Sequence, residues 1–331
     1  DVYKRQQVTS MSNMFNGCNK LSNLDLSNFN TSKVIMMENL LYDCYNLENI
    51  NLGSFDTTNV INMSSMFNNC KRLTSLDISN FKTSNVRYMD YMFAHCNKIS
   101  TLDLSNFDTS NVTTMAGMFY GCKGLTNLNI SNFKTQKVTD MNRMFCGCAL
   151  TSIDLSNFNT SAVKDMGEMF AGSSFIQLNL NNFNTSQVTN MSQMFNRCSK
   201  LTTLDLSNFD TRKVTMMTDM FSFCRSLISL NLSNFDTSQV INMANMFEWC
   251  DKLTNLDLGS FNTSILANTS YMFSRCTSLR TINLSKAVFT KVTNSSDMFD
   301  GTSNLTVKVK DEAAKTFLTS KLGSHGTAVI A

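Results

Sequence analysis

Cysteine is the residue whose type and spacing could most readily carry out chemistry in this chain. Ten of the 11 cysteines in the 331 residues recur at one position of a repeat. Parallel neighbours about 4.8 Å apart would hold their Cβ atoms about 1 Å beyond the disulfide mean. Zinc sites usually need C-x₂₋₄-C pairs, and only Cys146-Gly147-Cys148 comes close. We expect buried free thiols with no metal and no cofactor, and disulfides or metal ligation remain the alternatives. The ten are Cys18, Cys44, Cys70, Cys96, Cys122, Cys148, Cys198, Cys224, Cys250 and Cys276.

Other catalytic chemistry has little support in the sequence. The two histidines, His95 and His325, lie in no pattern with a nucleophile or metal ligand, and no glycine-rich phosphate loop occurs. The net charge is +3 and the basic residues are scattered, which predicts no nucleic-acid partner. No run of 18 apolar residues is present, which predicts no membrane-spanning segment. The sequence therefore indicates a protein that is not an enzyme.

A repeat of 25 or 26 residues covers most of the chain. Its frame follows one phenylalanine, and seven of nine steps are 26 residues long. Such a period predicts a solenoid, in which each unit buries its apolar face only against its neighbours. The frame residues, predicted to form a buried structural ladder, are Phe29, Phe55, Phe81, Phe107, Phe133, Phe158, Phe183, Phe209, Phe235 and Phe261.

Each repeat contains two periodicities. In the unit from Leu201 to Cys224, Leu204 and Leu206 alternate with polar residues, as in a half-buried strand. Apolar residues from Val214 onward then recur at three- and four-residue spacing, which is typical of a helical stripe, and the preceding threonine could cap that helix. We therefore predict a leucine-rich-repeat-type solenoid of about 11–12 rungs. A parallel β-sheet would form one face and short α- or 3₁₀-helices the other.

The full unit, LxxLDLSNFDTSxVxxMxxMFxxC, resembles the BspA-like leucine-rich repeats of bacterial surface proteins. The resemblance covers roughly residues 8–302 and implies adhesion or protein interaction at the cell surface, or after secretion, and not catalysis. One departure is the phenylalanine at the ninth position, where leucine-rich repeats usually carry Asn or Cys. We expect an aromatic ladder there in place of side-chain amide bonds to the backbone.

The two ends of the chain depart from the repeat. Residues 1–7 are predicted to be a non-consensus leader or the end of a fragment, and residues 8–302 the solenoid. Residues 303–331 are predicted to form a C-terminal cap. Its strand would carry Leu305, Val307 and Val309, and its helix would run from Asp311 to Leu322.

A polar strip is predicted on the exposed face of the sheet. It comprises the Asp or Asn between the last two leucines of each repeat and the polar residue two positions earlier. This outward strip could be a solubilising ladder or a recognition surface, and calcium binding by it is weakly supported because no D-x-D-x-D-G loop is present. Candidate binding residues on the strip are Asp77, Thr101, Asp103, Asn127, Asn129, Asp154, Thr203 and Asp205.

Variable aromatic residues give a second candidate surface. Phe223, Trp249 and Tyr271 depart from the repeat consensus, and such residues often anchor interfaces. The favoured hypothesis is a monomeric interaction or adhesion module whose partner is a protein or glycan on a host or neighbouring cell. A structural spacer remains an alternative, as does a recognition segment attached to an enzyme outside this sequence.

Overall fold

The computed structural model describes residues 8–331, and the predicted leader at residues 1–7 lies outside them. The chain forms two compact units, Asp1–Ala162 and Val163–Ala331. In each unit, equivalent residues of successive repeats are joined by parallel bridges, so the predicted leucine-rich-repeat-type solenoid with parallel strands is confirmed in each unit. The bridges join Ser10, Met36, Asn62, Tyr88, Thr114 and Asp140 in the first unit, and Asp165, Asn190, Met216, Asn242, Asn268 and Asn294 in the second.

Short parallel strands form around the fourth-position leucine or isoleucine of some repeats. In four of these three-residue strands the two outer residues are exposed and the central one is buried or half-buried, which places the outward strip in solvent. In the first unit, β1 (Asn23–Asp25) pairs with β2 (Asn49–Asn51), and β3 (Thr101–Asp103) pairs with β4 (Asn127–Asn129). In the second unit, β5 (Thr203–Asp205) pairs with β6 (Ser229–Asn231), and β7 (Asn255–Asp257) pairs with β8 (Thr281–Leu284).

The last residues of the second unit form a strand, a helix and a further strand. Strand β9 (Leu305–Val309) pairs with β8, and β10 (Gly326–Ile330) pairs in parallel with β9. Helix α1 (Glu312–Leu322) and a 3₁₀ turn (Gly323–His325) connect β9 to β10. Asp311 caps the helix by accepting the Ala314 N–H at 2.9 Å. The boundaries at residues 8 and 303 stay predictions. In the described part of the chain, no helix has the length and apolarity needed for a membrane span.

The repeat segments predicted as short helices form stacked turns instead. Between Met63 and Cys70, alternate N–H groups bond to the carbonyl three residues earlier at 3.1–3.2 Å, and the others donate to carbonyls of the following repeat at 2.7–3.0 Å. Ser65 and Asn69 have φ angles of 54° and 63°, outside the right-handed helical region. Helical structure within residues 8–331 is confined to 312–325. The helical prediction was wrong because consecutive turns bury residues at the same three- and four-residue spacing as a helix.

Apolar columns fill the interior of each unit. The phenylalanine of the MxxMFxxC segment stacks almost parallel on its equivalents, as in Phe67–Phe93 with ring centroids 5.8 Å apart and Phe195–Phe221 at 5.7 Å. The frame phenylalanines from Phe55 to Phe261 are also buried, whereas Phe29 is half-buried. Met, Val, Leu and Cys occupy the neighbouring columns, so each rung contacts little except its neighbours.

The threonine predicted to cap a helix has a different role. It is buried, and its hydroxyl bridges two turns: Thr109 Oγ1 donates to the Lys134 carbonyl at 3.0 Å and accepts the Lys134 N–H at 2.7 Å. The same donation occurs from other threonines of this column. They are Thr31, Thr57, Thr83, Thr135, Thr185, Thr211, Thr237 and Thr263.

Side-chain amides also join the turns, against the expectation from the phenylalanine at the ninth position. The asparagine one residue earlier supplies the bonds: Asn106 Nδ2 lies 3.0 Å from the Ile78 carbonyl and 3.2 Å from that of Phe81. Asn80 and Asn208 bond in the same way. The prediction was wrong because the amide and the ring occupy adjacent positions and do not compete.

Thr109→Val should lower the free energy of unfolding by about 1–3 kcal/mol, because it leaves the Lys134 N–H without its acceptor in a part-buried position. Thr109→Ser retains the hydroxyl and is the matched control, with an expected loss well below that of valine. Urea unfolding followed by circular dichroism measures both. A loss for Thr109→Ser as large as that for Thr109→Val would contradict a dominant role of the hydroxyl.

Candidate interaction surfaces

The outward strip places its predicted residues in two separate sets. In the first unit, Thr101 and Asp103 on β3 lie in register with Asn127 and Asn129 on β4. Asp77 and Asp154 belong to the same unit but lie outside its strands. In the second unit, Thr203 and Asp205 on β5 line a shallow groove of about 580 Å³ together with residues of β6.

The Asp and Asn oxygens of the strip are engaged by their own backbone. Asp103 Oδ1 accepts the N–H of Ser105 at 3.0 Å, and Asp205 Oδ1 accepts that of Ser207 at 3.0 Å. Asn129 makes the same local bond at 3.2 Å. These bonds from the backbone N–H, helped by the serine hydroxyl, hold the pKa of Asp103 and Asp205 below the ordinary value. The strip therefore carries fixed negative charges whose first role is to shape the turn after each strand.

The order of Asp and Asn along the strip matches the strand pairing at four steps, whereas Asp154 and Asn179 lie outside the strands. In each of the four strand pairs β1–β2, β3–β4, β5–β6 and β7–β8, the earlier strand carries Asp on the strip and the later strand carries Asn. In β7 and β8, Asn283 Nδ2 donates to Asp257 Oδ1 at 2.7 Å. An Asp that follows an Asn cannot donate such a bond, because an ionised carboxylate only accepts. Asp77 and Asp103 are consecutive carboxylates, and no strand forms at Asp77.

An arginine–aromatic stack lies on the turn side of the second unit. Phe223 and Trp249 stack with centroids 5.9 Å apart and planes 17° from parallel. The Arg225 guanidinium lies 4.4 Å from the Trp249 ring, while Arg197 lies 5.2 Å from Phe223 and Arg275 lies 5.8 Å from Trp249. Both rings are half-buried. The stack thus combines aromatic and cation–π contacts at the surface.

The backbone beneath the stack is unusual for such large residues. Arg197, Phe223, Trp249 and Arg275 precede the cysteine position on consecutive turns, and their φ angles are 57–60°. A non-glycine residue in this region costs about 1–2 kcal/mol. In the first unit the equivalent residues are Gly17, Asp43, Asn69, His95, Gly121 and Gly147, which are mostly types that tolerate positive φ.

Tyr271 lies apart from this stack in its contacts. It is 40% exposed, and its hydroxyl bonds to Asp297, which raises the pKa of Tyr271. The three arginines were not among the sequence-predicted site residues. Arg197 and Arg275 could have been found from the sequence by comparing, across the repeats, the residue that precedes each cysteine. Arg225 follows a cysteine, and only the structure shows that it covers the Trp249 ring.

A smaller aromatic cluster occupies the turn side of the first unit. Tyr120 lies edge-on to His95 at 4.7 Å and to Tyr91 at 6.4 Å. A Cβ added to Gly117 would come within 2.2 Å of the Tyr91 ring, and one added to Gly121 within 2.4 Å of His95. The glycines therefore allow both rings to lie flat on the next turn. Burial, with Lys71 and Lys123 nearby, lowers the pKa of His95.

The cysteine column consists of free thiols, which are buried from Cys44 to Cys276. Cys122 Sγ donates to the Phe93 carbonyl at 3.0 Å, and burial raises the pKa of Cys122 to about 12. The equivalent thiols from Cys44 to Cys276 bond to the carbonyl 28 or 29 residues earlier. Cys18 and Cys146 are half-buried. Within residues 8–331, no group of three side chains has the arrangement of a metal site. These thiols serve packing and backbone hydrogen bonding.

The model of one protein family matches most of the chain. The model of the family described as "Mycoplasma protein of unknown function, DUF285" matches residues 1–101, 46–150, 121–229 and 200–311. The chain belongs to the DUF285 family. No curated protein matches it.

Several solved structures are similar at low identity. A leucine-rich cell surface protein of Faecalibacterium prausnitzii has 16% identity and a TM-score of 0.40, over 93% of this chain and 78% of that one. The functional domain of InlJ from Listeria monocytogenes, which includes a cysteine ladder, has 16% identity and a TM-score of 0.39; the match covers 99% of this chain and 64% of that one. The pneumococcal vaccine antigen PcpA has 15% identity and a TM-score of 0.33, over 95% and 78%.

Asn129→Asp should lower the urea midpoint of unfolding, because it replaces an amide beside Asp103 with a second carboxylate. Asp77→Asn is the matched reverse change and should raise the midpoint, because it separates two consecutive carboxylates. Both effects should shrink at high salt, where exposed charges are screened. Shifts of the same sign for the two variants would contradict this account of the strip.

Native protein should react with iodoacetamide at Cys18 and Cys146 and only slowly at Cys122, because a buried thiol has little thiolate character. In urea, all 11 cysteines should be modified. Mass spectrometry of tryptic peptides gives the extent at each site. Rapid native labelling of Cys122 would show that the column opens readily.

Proposed function

We propose that this chain is a non-catalytic protein-interaction or adhesion module of a bacterial cell-surface protein, and that it binds a partner through the arginine–aromatic stack of its second unit. The stack comprises Arg197, Phe223, Arg225, Trp249 and Arg275.

The observation that carries the proposal is the row of bulky residues at positive φ. Glycine or asparagine at these positions would avoid most of the backbone cost, as in most turns of the first unit. Strained backbone that persists often marks a functional site. Arg and Trp are also the residue types most enriched at the centres of protein interfaces.

The geometry of the stack favours a protein partner over a glycan. The Phe223 and Trp249 rings lie against each other, and guanidinium groups lie over both. Their faces are therefore occupied, and sugar rings usually need a free aromatic face. The ring edges and the outer guanidinium N–H groups remain available, and these suit peptide carbonyls, carboxylates and apolar side chains.

Charge around the stack is nearly balanced. Arg275 pairs with Asp300 at 3.0 Å, and Arg225 lies 3.8 Å from Asp251. Burial raises the pKa of Asp251, and the neighbouring Arg225 opposes this effect. A surface with both charges suits a partner with mixed polar and apolar groups better than a uniformly acidic one.

The resemblance of the repeat unit to BspA-like repeats supports display at the bacterial surface and a role in adhesion. The outward strip, whose carboxylates are engaged in local turns, supports a solubilising function for the opposite face. Under this proposal the chain is a recognition element and not a spacer alone.

Replacing both Phe223 and Trp249 with Asn should weaken partner binding at least about thirtyfold, because one interface anchor alone is worth about 2 kcal/mol or more. The free energy of unfolding should change by less than about 2 kcal/mol, because Asn tolerates positive φ and the relieved strain offsets the lost stacking. Labelled chain applied to arrays of extracellular proteins and of glycans, followed by titration of each hit, measures binding.

Asp205→Asn on the outward strip is the control and should leave the affinity unchanged, since it keeps the turn-forming oxygen. Unchanged affinity of the Phe223 and Trp249 double variant would overturn the proposal. Saturable binding only to glycans would overturn its choice of partner.

A further inference from the structure

The last turn of the second unit ends a ladder of backbone hydrogen bonds. Within each unit, earlier turns donate alternate N–H groups to carbonyls of the next turn. In the last complete step the four distances are 2.6–2.9 Å. These bonds run from Thr269, Tyr271, Phe273 and Arg275 to Asn294, Ser296, Met298 and Asp300, in that order.

The equivalent N–H groups of the following turn have no protein acceptor among residues 8–331. They belong to Ser295, Asp297, Phe299 and Gly301. The strand ladder continues from β8 to β9, but helix α1 follows β9 and no further MxxMF-type turn covers these donors. By repeat equivalence, the four N–H groups point toward the side on which the next turn would lie.

The four donors alternate along the turn. Gly301 has a φ angle of 71° and lies within the tight turn that the Thr302 N–H closes on the Phe299 carbonyl, and Asp297 has a φ angle of 50°. In earlier turns each equivalent N–H donates to one carbonyl oxygen of the next turn. A row of N–H groups on one edge of the backbone favours anionic oxygens there.

A polar groove of about 430 Å³ lies over this donor row. One wall is the turn itself, and the other carries Ser320, Lys321 and His325. Lys321 lines the groove, and its ammonium lies 5.6 Å from the Phe317 ring. His325 Nδ1 lies 2.9 Å from the Thr302 carbonyl and donates to it, because a carbonyl only accepts. Ser320 Oγ donates to the Phe317 carbonyl at 2.6 Å, so Lys321 is the side-chain donor that this wall offers to a ligand.

Two carboxylates on the turn are engaged by the preceding turn. Asp300 pairs with Arg275 at 3.0 Å, and Asp297 accepts the Tyr271 hydroxyl. Both carboxylates line the groove. Their contacts reduce the repulsion that Asp297 and Asp300 would exert on an anion in the groove.

We propose that this groove binds a tetrahedral oxyanion of the phosphate or sulfate class. The row of N–H groups and the Lys321 ammonium offer more donors than the two oxygens of a carboxylate can use, whereas four oxygens can bridge the two walls. The groove adjoins the arginine–aromatic stack through the Arg275–Asp300 pair, but the proposed binding does not depend on the function of the stack.

The test uses the full 331-residue chain and inorganic phosphate. Amide resonances of Ser295, Asp297, Phe299 and Gly301 should shift saturably in ¹⁵N TROSY spectra. Sulfate should act similarly, acetate more weakly, and chloride at matched ionic strength should not shift these resonances saturably. Lys321→Gln should weaken phosphate binding at least about fivefold, because it removes a charge-assisted contact.

Lys315→Gln removes a lysine from the same helix but outside the groove, and it should change phosphate affinity by less than about twofold. The four amide resonances also report whether each variant keeps the fold of the turn. Absence of saturable shifts at these amides would overturn the proposal. Equal weakening by the two lysine variants would also overturn it, because binding would then reflect diffuse charge.

Discussion

Hydrogen bonding between successive turns is the constraint on which each unit depends. In the MxxMFxxC segment, alternate N–H groups bond within the turn and the others bond to the next turn. This arrangement satisfies backbone groups that would otherwise be buried without partners. It requires two positive-φ residues per turn, and it brings the rings of the interior within 5.5–5.9 Å of one another.

The same constraint determines where variation can be accommodated. Interior columns admit little change because each side chain touches its own copies above and below. The position before the cysteine faces outward, but its backbone favours glycine or asparagine. The large residues Arg197, Phe223, Trp249 and Arg275 therefore carry a backbone cost that glycine at the same positions would avoid. This cost distinguishes the arginine–aromatic stack from the outward strip, whose residues satisfy local turns.

The ends of such a ladder differ chemically from its middle. A turn in the interior of a unit has its N–H row covered by the next turn, and the last turn has this row exposed beside α1. The last turn therefore exposes donors that earlier turns use for structure. The strand β9 continues the sheet at this place, so the interruption is confined to the turn side.

The sequence by itself determined the repeat, the parallel strands and the burial of the cysteine column, because a fixed period of 25 or 26 residues forces equivalent side chains into columns. Phe223 and Trp249 could also be chosen from sequence, because they depart from the consensus. The sequence could not distinguish a short helix from consecutive turns, since both bury residues three and four apart. Only the tertiary structure decided this, because the neighbouring turn supplies the acceptors for half of the N–H groups. It alone also decided that Arg225 covers Trp249, and that the threonine and asparagine side chains bridge turns about 25 residues apart.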